Sequence, residues 1–303
     1  MVDGAQNPGM RAAGAETGPP VRYDRRSLTY STSFENPWKR NVIRTMEWMT
    51  GKLAILRMIR EFERRGPPED STFWAACLDV MRIDVTTPEA QLRNIPATGP
   101  VVVVANHPHG MVDGMVLGHV IARVRDDYRI LTRNLLTGID EVASRFLIPV
   151  PFPHDPEAQR KSVAMRATAM DHLKAGGLVT LFPSGVVAAS QTVFGPAVEA
   201  EWNVFTAQLI RRSGATVVPV YFPGANSRWY QAANRVSATL RQGLLLHEIV
   251  HSSGKPQAPV IGAPIGPDDM ARLKDDPRGF MEWLRAHTLA LGAQQGAAKT
   301  ATQ

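Results

Sequence analysis

The sequence predicts an α/β fold with a single mixed, largely parallel sheet that is flanked by helices. First, 44% of the 303 residues are hydrophobic, which is enough for one large core. Second, β-branched runs alternate with helical patterns over most of the chain. Third, residues 101–105 are Val-Val-Val-Val-Ala, and a strand without a polar face is typical of a sheet buried on both sides.

The predicted elements follow one another in a regular order. Each short apolar run is a predicted strand, and most intervals between strands carry the 3.6-residue period of a helix. Strands are predicted near residues 81–85, 101–105, 129–132, 147–150, 178–182, 217–222 and 259–262. Helices are predicted near residues 115–124, 156–175, 201–212 and 278–291.

The chain divides into four predicted segments. Residues 1–36, rich in Gly, Ala and Pro, are expected to form a flexible leader, and residues 292–303 a flexible tail. Residues 37–70 form a basic amphipathic helical segment that ends in a charged, proline-rich linker, and residues 71–291 form the main domain. The leader lacks the apolar region of a secretory signal, and no apolar run approaches the ~18 residues of a spanning helix. We therefore expect a soluble or peripheral protein.

The segment 37–70 has an apolar face and a basic face. Its apolar residues recur at steps of three and four, which places them on one side of a helix. Two interpretations are open: a helix on an anionic membrane surface, with Trp38 and Trp48 at the interface, or a helix packed on its own domain. The apolar residues are Trp38, Val42, Met46, Met49, Leu53 and Leu56, and the basic residues opposite include Lys39, Arg40, Arg44 and Arg57.

The chain is basic and contains a single cysteine. With 34 Lys and Arg against 28 Asp and Glu, the net charge is +6 and the pI is near 9.7. This surplus favours an anionic partner such as a lipid headgroup, a nucleic acid or a phosphorylated substrate. No nucleic acid is expected, because no basic cluster is interleaved with stacking aromatic residues. Cys77 excludes an intramolecular disulfide and a thiolate metal cluster, and its apolar neighbours predict a packed thiol.

The most informative segment is 106–114, Asn-His-Pro-His-Gly-Met-Val-Asp-Gly, which directly follows the valine strand. Ligands usually bind where strands end in open α/β sheets. A histidine acts as a general base when a carboxylate orients its ring, so His107 with Asp113 is one predicted pair and His109 with Asp113 is another. A metal site on the same three side chains lacks a fourth ligand. A purely structural role, capping a helix and closing a turn, is the remaining alternative.

This segment resembles the first motif of the glycerolipid (lysophospholipid) acyltransferase superfamily, in which four residues usually separate His from Asp. Five residues separate His107 from Asp113, which is similar to the hemolysin-like or lyso-ornithine lipid acyltransferase branch, and His-Pro-His-Gly is similar to the diacylglycerol acyltransferases. Residues 181–185, Leu-Phe-Pro-Ser-Gly, resemble the third motif, and residues 217–228 resemble the fourth. The resemblance extends over roughly residues 81–267 and implies a glycerol-3-phosphate acyltransferase-like fold, with an acyltransferase domain at 71–291.

The resemblance implies transfer of a fatty acyl group from acyl-CoA or acyl carrier protein to the hydroxyl of a lysolipid, with no metal and no cofactor besides the acyl donor. It implies His107 as general base and Asp113 as its orienter, without a covalent nucleophile. Backbone amides around Gly110 or Gly185 are candidate oxyanion donors, and Asn106 is equally compatible with a helix cap. The predicted substrate-binding residues are Asn106, His109, Gly110, Arg133, Phe182, Pro183, Ser184, Gly185, Asn226 and Arg228.

One departure from the family pattern concerns the acceptor. Where the family's third motif has Glu and Arg to hold a phosphate, this chain has Ser184 and Val186-Val187. This favours a lyso-aminolipid or another lysolipid over lysophosphatidate. A serine hydrolase is disfavoured, because Phe182 stands where a nucleophile elbow needs glycine.

The expected location is the cytoplasmic face of the inner membrane, as a peripheral protein on anionic lipid. Two alternatives remain open on the sequence. One is a non-catalytic lipid-binding protein with the same fold, and the other is a 1-acylglycerol-3-phosphate acyltransferase proper.

Overall fold

A six-stranded sheet forms the centre of the protein. The computed structural model describes residues 29, 31, 36–133, 141–152, 155–192 and 195–301, so the predicted leader lies almost entirely outside the described residues. The strand order in the sheet is β3-β2-β4-β1-β7-β8, and β5 and β6 form a separate ribbon. The strands are β1 (Val101–Ala105), β2 (Tyr128–Arg133), β3 (Leu147–Val150), β4 (Leu178–Leu181), β5 (Ala189–Ser190), β6 (Ala197–Val198), β7 (Thr216–Tyr221) and β8 (Val260–Ile261).

The sheet is largely parallel, which confirms the predicted fold class. β1 lies between β4 and β7 and is parallel to both, with Val101 opposite Leu178 on one side and Thr216 on the other. β2 pairs in parallel with β4 and with β3. Among the described strands of this sheet, β8 alone runs antiparallel to its neighbour, β7.

Helices cover both faces of the sheet, and a π-helical stretch, Trp48–Lys52, joins the first two. The helices of the described residues are α1 (Pro37–Glu47), α2 (Leu53–Arg65), α3 (Phe73–Val80), α4 (Glu89–Leu92), α5 (Met111–Ala122), α6 (Glu141–Arg145), α7 (Ala158–Lys174), α8 (Val204–Ser213), α9 (Arg228–Val236), α10 (Ala238–Gly243), α11 (Leu245–Ser252), α12 (Pro267–Asp275) and α13 (Pro277–Ala301). The described part of the predicted tail therefore belongs to α13.

The strand predicted at residues 81–85 is wrong. Met81 ends α3, and Arg82 follows with a φ of 55°, a left-handed conformation that interrupts an extended run. Within this range Val85 forms an isolated bridge with Gln257. The strands predicted at 101–105 and 147–150 have the predicted ends, and the other predicted strands and the four predicted helices are present with shifted ends.

The valine strand β1 separates two hydrophobic cores. Val101 and Val103 face a core built with α3, α5 and α11, whereas Val102 and Val104 face a core built with α7, α8 and α13. Successive side chains of a strand point to opposite faces, so a central strand covered by helices on both sides is apolar at every position.

The N-terminal helices carry two apolar faces rather than one. Ile43 and Ile55 are buried, and Phe62 meets Phe73 of α3 edge to face, with ring centroids 5.3 Å apart. The face predicted from the spacing lies mainly outside instead, because Trp38 and Met49 are 74% and 82% exposed. The segment therefore packs on its own domain through one face and presents a second apolar face to the surroundings.

The π-helical stretch lies against α11. A Cβ atom on Gly51 would come within 2.9 Å of the backbone oxygen of Leu246, so the absence of a side chain permits this close contact.

Candidate active site

Three predicted motifs meet at the carboxyl edge of the sheet. The strands β4, β1 and β7 are neighbours, and Phe182, Asn106 and Phe222 directly follow their last residues. Parallel strands end at the same edge, so segments far apart in sequence come together there.

Asn106 ties two of these strand ends to each other. Its Oδ1 accepts from the Phe222 N–H at 2.7 Å, and its Nδ2 donates to the Phe222 carbonyl at 2.9 Å. The side chain is buried, and the N-cap position of α5 is occupied by Gly110. The helix-cap alternative for Asn106 is therefore wrong, and its amide fixes the sheet edge instead of facing outward to a substrate.

His107 and Asp113 form the predicted pair. Pro108 and Gly110 turn the chain after β1, and Asp113 stands fully buried in the first turn of α5. The Nδ1 atom of His107 lies 3.0 Å from Oδ2 of Asp113. Because an ionised carboxylate only accepts hydrogen bonds, Nδ1 carries the hydrogen and Nε2 presents its lone pair. A histidine in this state can remove a proton from a hydroxyl group.

The Asp113 carboxylate receives three further hydrogen bonds. Oδ2 accepts from the backbone N–H groups of His109 at 2.8 Å and Gly110 at 3.1 Å, and Oδ1 lies 3.0 Å from Nδ1 of His109. Burial acts to raise the pKa of Asp113, but the hydrogen bonds from His107 and His109 outweigh it and hold the pKa below its ordinary value. The carboxylate is therefore ionised at neutral pH and stabilises an imidazolium beside it.

The alternative pair, His109 with Asp113, is also present, and the two histidines differ at Nε2. Gly224, with a φ of 97°, lies so close to the His109 ring that a Cβ there would be 2.9 Å from Nε2. The ring of His107 instead stacks on Phe182, with centroids 3.9 Å apart and an interplanar angle of 22°. Because Gly224 limits access to Nε2 of His109, the geometry favours His107 as the base.

Arg133, the last residue of β2, reaches the third motif. Its Nη2 donates to the Gly185 carbonyl at 3.1 Å, and its guanidinium lies 5.7 Å from the centroid of the Phe152 ring. Burial lowers the pKa of the Arg133 guanidinium from its usual range. The site therefore has a half-buried guanidinium beside Gly185.

Two hydrogen bonds fix the turn that contains the third motif. The Pro183 carbonyl accepts from the Asn203 N–H at 3.0 Å, and the Ser184 hydroxyl donates to the Val186 carbonyl at 2.9 Å. A hydroxyl that donates to a backbone carbonyl is not activated by a base, which agrees with the rejection of a serine hydrolase.

Among the backbone amides around Gly110 and Gly185 that were predicted as oxyanion donors, the N–H groups of the two glycines themselves are already engaged. The Gly110 N–H donates to Asp113, and the Gly185 N–H donates to the Phe182 carbonyl at 2.9 Å. In this conformation neither N–H is available to an oxyanion.

Sequence analysis missed Glu199, which binds the main chain of His107. Its Oε2 accepts from the His107 N–H at 3.0 Å, and its Oε1 accepts from the Trp202 indole N–H at 3.1 Å. The His107 carbonyl in turn accepts from the Ala188 N–H at 2.8 Å. Glu199 is buried and stands 92 positions from His107, so no local pattern connects the two residues.

The fourth motif combines a closed turn with an unsatisfied amide. The Ser227 N–H and hydroxyl both donate to Glu248, at 2.7 and 2.5 Å. Asn226 is buried, and within the described residues neither its Oδ1 nor its Nδ2 has a hydrogen-bond partner. Buried polar atoms are rarely left unpaired, so Asn226 is a candidate for a substrate contact. Arg228 is exposed at the first position of α9.

An apolar cavity of about 180 Å³ begins beside the His107–Asp113 pair, because Gly114, the neighbour of Asp113, lines it. Its walls come mainly from α2, α3 and α5. Cys77 of α3 is one of the lining residues, so its thiol lies among apolar side chains, as predicted. Residues that line it include Met58, Phe62, Trp74, Cys77, Gly114 and Met115. Sequence analysis did not predict this cavity, because its walls come from elements that lie far apart in the chain.

Nowhere in the described ranges do three or more His, Cys, Asp or Glu side chains come together in a way that would hold a metal ion. No helix in them is both long enough and apolar enough to span a bilayer.

Comparison with known proteins gives three findings. A family model described as Acyltransferase matches residues 86–223. Two curated relatives are lyso-glycine lipid O-acyltransferases. The one from Phocaeicola vulgatus is 26% identical over 200 residues, 64% of this chain and 68% of the relative. The one from Bacteroides thetaiotaomicron is 30% identical over 166 residues, 54% of this chain and 57% of the relative. Among solved structures, the 1-acyl-sn-glycerophosphate (LPA) acyltransferase PlsC from Thermotoga maritima aligns with a TM-score of 0.48 at 15% identity, over 88% of this chain and 85% of that one.

Proposed function

We propose that this chain is a member of the PlsC-like glycerolipid acyltransferase superfamily and that it moves a fatty acyl group from the thioester of acyl-CoA or acyl carrier protein to the hydroxyl of a lysolipid. The observation that carries the proposal is the His107–Asp113 pair, 3.0 Å apart between Nδ1 and Oδ2, at the sheet edge where the motifs meet. The acyl donor is a co-substrate, and the proposed reaction uses no other cofactor.

In the proposed mechanism His107 is a general base and then a general acid. Its Nε2 removes the proton of the acceptor hydroxyl while the hydroxyl oxygen forms a bond to the thioester carbon, and the carbonyl oxygen becomes an oxyanion. Asp113 stabilises the resulting imidazolium. When the oxyanion collapses, the C–S bond breaks and the imidazolium returns its proton to the leaving sulfur. The products are an ester and a free thiol, and His107 is neutral again.

The proposed acceptor is a lyso-aminolipid. Both relatives carry the name lyso-glycine lipid O-acyltransferase. In this chain the third motif has Ser184, Val186 and Val187 in place of the family's Glu and Arg, so these positions supply no guanidinium to a phosphate. The unpaired amide of Asn226 offers donors and an acceptor to a polar group of the acceptor.

The proposed place for the acyl chain is the apolar cavity beside Asp113. Its wall is made of Met, Phe and Trp side chains, which suit an alkyl chain, and Gly114 brings the cavity next to the catalytic carboxylate. Arg133, half-buried near Gly185, is the proposed contact for the donor's phosphates.

Membrane contact is also part of the proposal. The outer face of the N-terminal helices combines exposed Trp38, Met49 and Leu53 with exposed Lys39 and Arg44, a composition typical of helices at an anionic lipid surface. We place the protein on the cytoplasmic face of the inner membrane, as a peripheral protein that meets its lysolipid acceptor there.

The test is acyl transfer by the purified protein. Long-chain acyl-CoA or acyl carrier protein is offered with a panel that includes lyso-glycine lipid and lysophosphatidate, and products are identified by mass spectrometry. We expect an acylated lyso-aminolipid. Product from lysophosphatidate alone would make the protein a 1-acylglycerol-3-phosphate acyltransferase, and no product from any lysolipid would support a non-catalytic lipid-binding protein.

A pair of histidine variants links this activity to the site. His107→Ala is expected to abolish turnover while the circular dichroism spectrum stays unchanged, because the base is lost without a change in the core. His287→Ala, on α13, is the matched control, and we expect it to keep full activity. Full activity of His107→Ala would reject His107 as the base.

A further inference from the structure

Helix α9 carries two large apolar side chains on the outside. Trp229 and Val236 are 76% and 75% exposed. They stand seven residues apart, which is two helical turns, so they share one face with Ala232 and Ala233 between them. Large apolar side chains with this exposure on one helix face mark a contact surface.

The opposite face of α9 is polar and is fixed to the domain. Gln231 is buried, and its Oε1 accepts from the Ser190 N–H of β5 at 2.6 Å. The Asn234 Nδ2 donates to the Ser190 carbonyl at 3.2 Å. These bonds hold the helix with its polar side inward, so the outward direction of Trp229 and Val236 follows from the packing of α9.

The charge around this face is entirely positive. Residues 228–243, which form α9 and α10, contain three arginines and no Asp or Glu. Arg228 and Arg235 are exposed and also stand seven residues apart, on the flank of the apolar face. Aromatic and aliphatic side chains flanked by arginine match the headgroup layer of an anionic bilayer, where apolar groups insert and cations meet lipid phosphates.

The face lies next to the active site. α9 follows the turn that contains Gly224, and Gly224 lies against the ring of His109. α10 contacts both α9 and α1, and a Cβ on Gly243 would lie 3.3 Å from the sulfur of Met46. The α9 face is therefore close both to the site that receives a lipid and to the N-terminal helices.

We infer that Trp229, Ala232, Ala233 and Val236, flanked by Arg228 and Arg235, form a contact surface for an anionic lipid bilayer. This inference extends the proposed function, because it places membrane contact beside the site in addition to that of the N-terminal helices. A lysolipid acceptor then has a short path from the bilayer to the turn at Gly224.

The first test removes the apolar side chains. The double variant Trp229→Ser, Val236→Ser is compared with wild type by sedimentation with vesicles of phosphatidylglycerol and phosphatidylcholine in equal parts. At limiting lipid, we expect the partition coefficient of the double variant onto the vesicles to be about tenfold lower than that of wild type. The reason is that the two apolar side chains no longer insert into the bilayer. Val163→Ser, an exposed valine on α7, is the matched control with expected wild-type binding. Equal binding by the double variant and wild type would overturn the inference.

The second test changes charge and asks which partner covers the face. Arg235→Glu is expected to weaken binding to the mixed vesicles several-fold and to leave the weaker binding to pure phosphatidylcholine unchanged. If Arg235→Glu lost binding to the mixed vesicles and to the pure phosphatidylcholine vesicles by the same factor, the preference for anionic lipid would be overturned. If wild type sediments as a dimer in solution and the double variant as a monomer, the face is an interface between two copies and the inference fails.

A third measurement separates this inference from the proposed function. With acceptor dispersed in detergent, the double variant is expected to turn over at the wild-type rate, whereas with acceptor in vesicles its rate falls with its binding. If wild type acylates no lysolipid at all, the proposed function fails, and the vesicle experiments still decide the membrane surface.

Discussion

Replacing Asp113 with Asn tests whether catalysis depends on the orientation and charge at His107. The amide preserves the size of the carboxylate, but one oxygen becomes an NH₂ group, which donates and cannot accept. In the native protein Oδ2 accepts from the His107 ring and from two backbone N–H groups, and Oδ1 accepts from the His109 ring. In the least costly orientation the NH₂ group takes the place of Oδ1, so the His109 ring loses its acceptor. The amide is also neutral, so the negative charge that faces His107 is gone.

The expected size of the effect follows from those contacts. A hydrogen bond to a charged group contributes about 1.5–3 kcal/mol, so loss of one such bond is expected to lower the free energy of unfolding at pH 7 by roughly 2–3 kcal/mol. The imidazolium formed during catalysis also loses its counter-charge. By analogy with the Asn variant of Ser-His-Asp proteases, we expect kcat to fall by about 10³- to 10⁴-fold.

The pH dependence of stability supplies a second readout. The pKa of Asp113 lies below its ordinary value of 3.8, so the carboxylate stabilises the fold fully above that value. This contribution is lost as the pH falls through the lowered pKa. The difference in unfolding free energy between wild type and Asp113→Asn, measured with urea, is therefore expected to shrink as the pH falls below about 4.

The assay follows release of the thiol from acyl-CoA at saturating acceptor. Asp171→Asn, an exposed aspartate of α7, is the matched control and is expected to behave as wild type. A folded Asp113→Asn protein with kcat within about tenfold of wild type would refute the role of Asp113.

Two further substitutions test the surroundings of the pair. A Cβ on Gly114 meets nothing within 4 Å, and Gly114 lines the apolar cavity, so Gly114→Leu is expected to fill part of the cavity and shorten the preferred acyl-CoA by about four methylene groups. An unchanged chain-length profile would exclude this cavity as the acyl site. Glu199→Ala leaves the His107 N–H and the Trp202 indole N–H without their acceptor, so urea unfolding is expected to show a loss of roughly 2–4 kcal/mol. Glu199→Gln, which keeps one acceptor oxygen, is expected to recover part of it, and a stable Glu199→Ala protein would contradict the role of Glu199.

The fold was predictable because the central strand is apolar at every position. Five consecutive apolar residues at 101–105 fit only a strand covered on both faces, and the polar turn that follows marks its carboxyl end. Residues 106 and 107 follow β1, Phe182 follows β4, and residues 217–222 contain most of β7, so their meeting at one edge follows from parallel pairing. The failure at 81–85 arose because Arg82 takes a left-handed conformation that residue types do not reveal.

Other parts of the site depend on tertiary contacts that leave no local pattern. Glu199 supports His107 only after the chain returns across the sheet edge, and neither residue type nor spacing indicates it. Asn106 was predicted as a substrate contact or a helix cap, whereas the pairing of β1 with β7 makes its amide a bridge between two strand ends. The N-terminal segment was assigned a single apolar face, whereas Ile43 and Ile55 form a second one.

The π-helical stretch at Trp48–Lys52 takes up one extra residue between α1 and α2. A π turn accommodates one residue more than an α turn, and each residue in an α-helix corresponds to a rotation of about 100°. If the same residues formed regular α-helix, α2 would be turned about its axis by about that amount relative to α1, and Met58 and Phe62 would leave the cavity wall. The wider turn therefore sets which side of α2 faces the cavity.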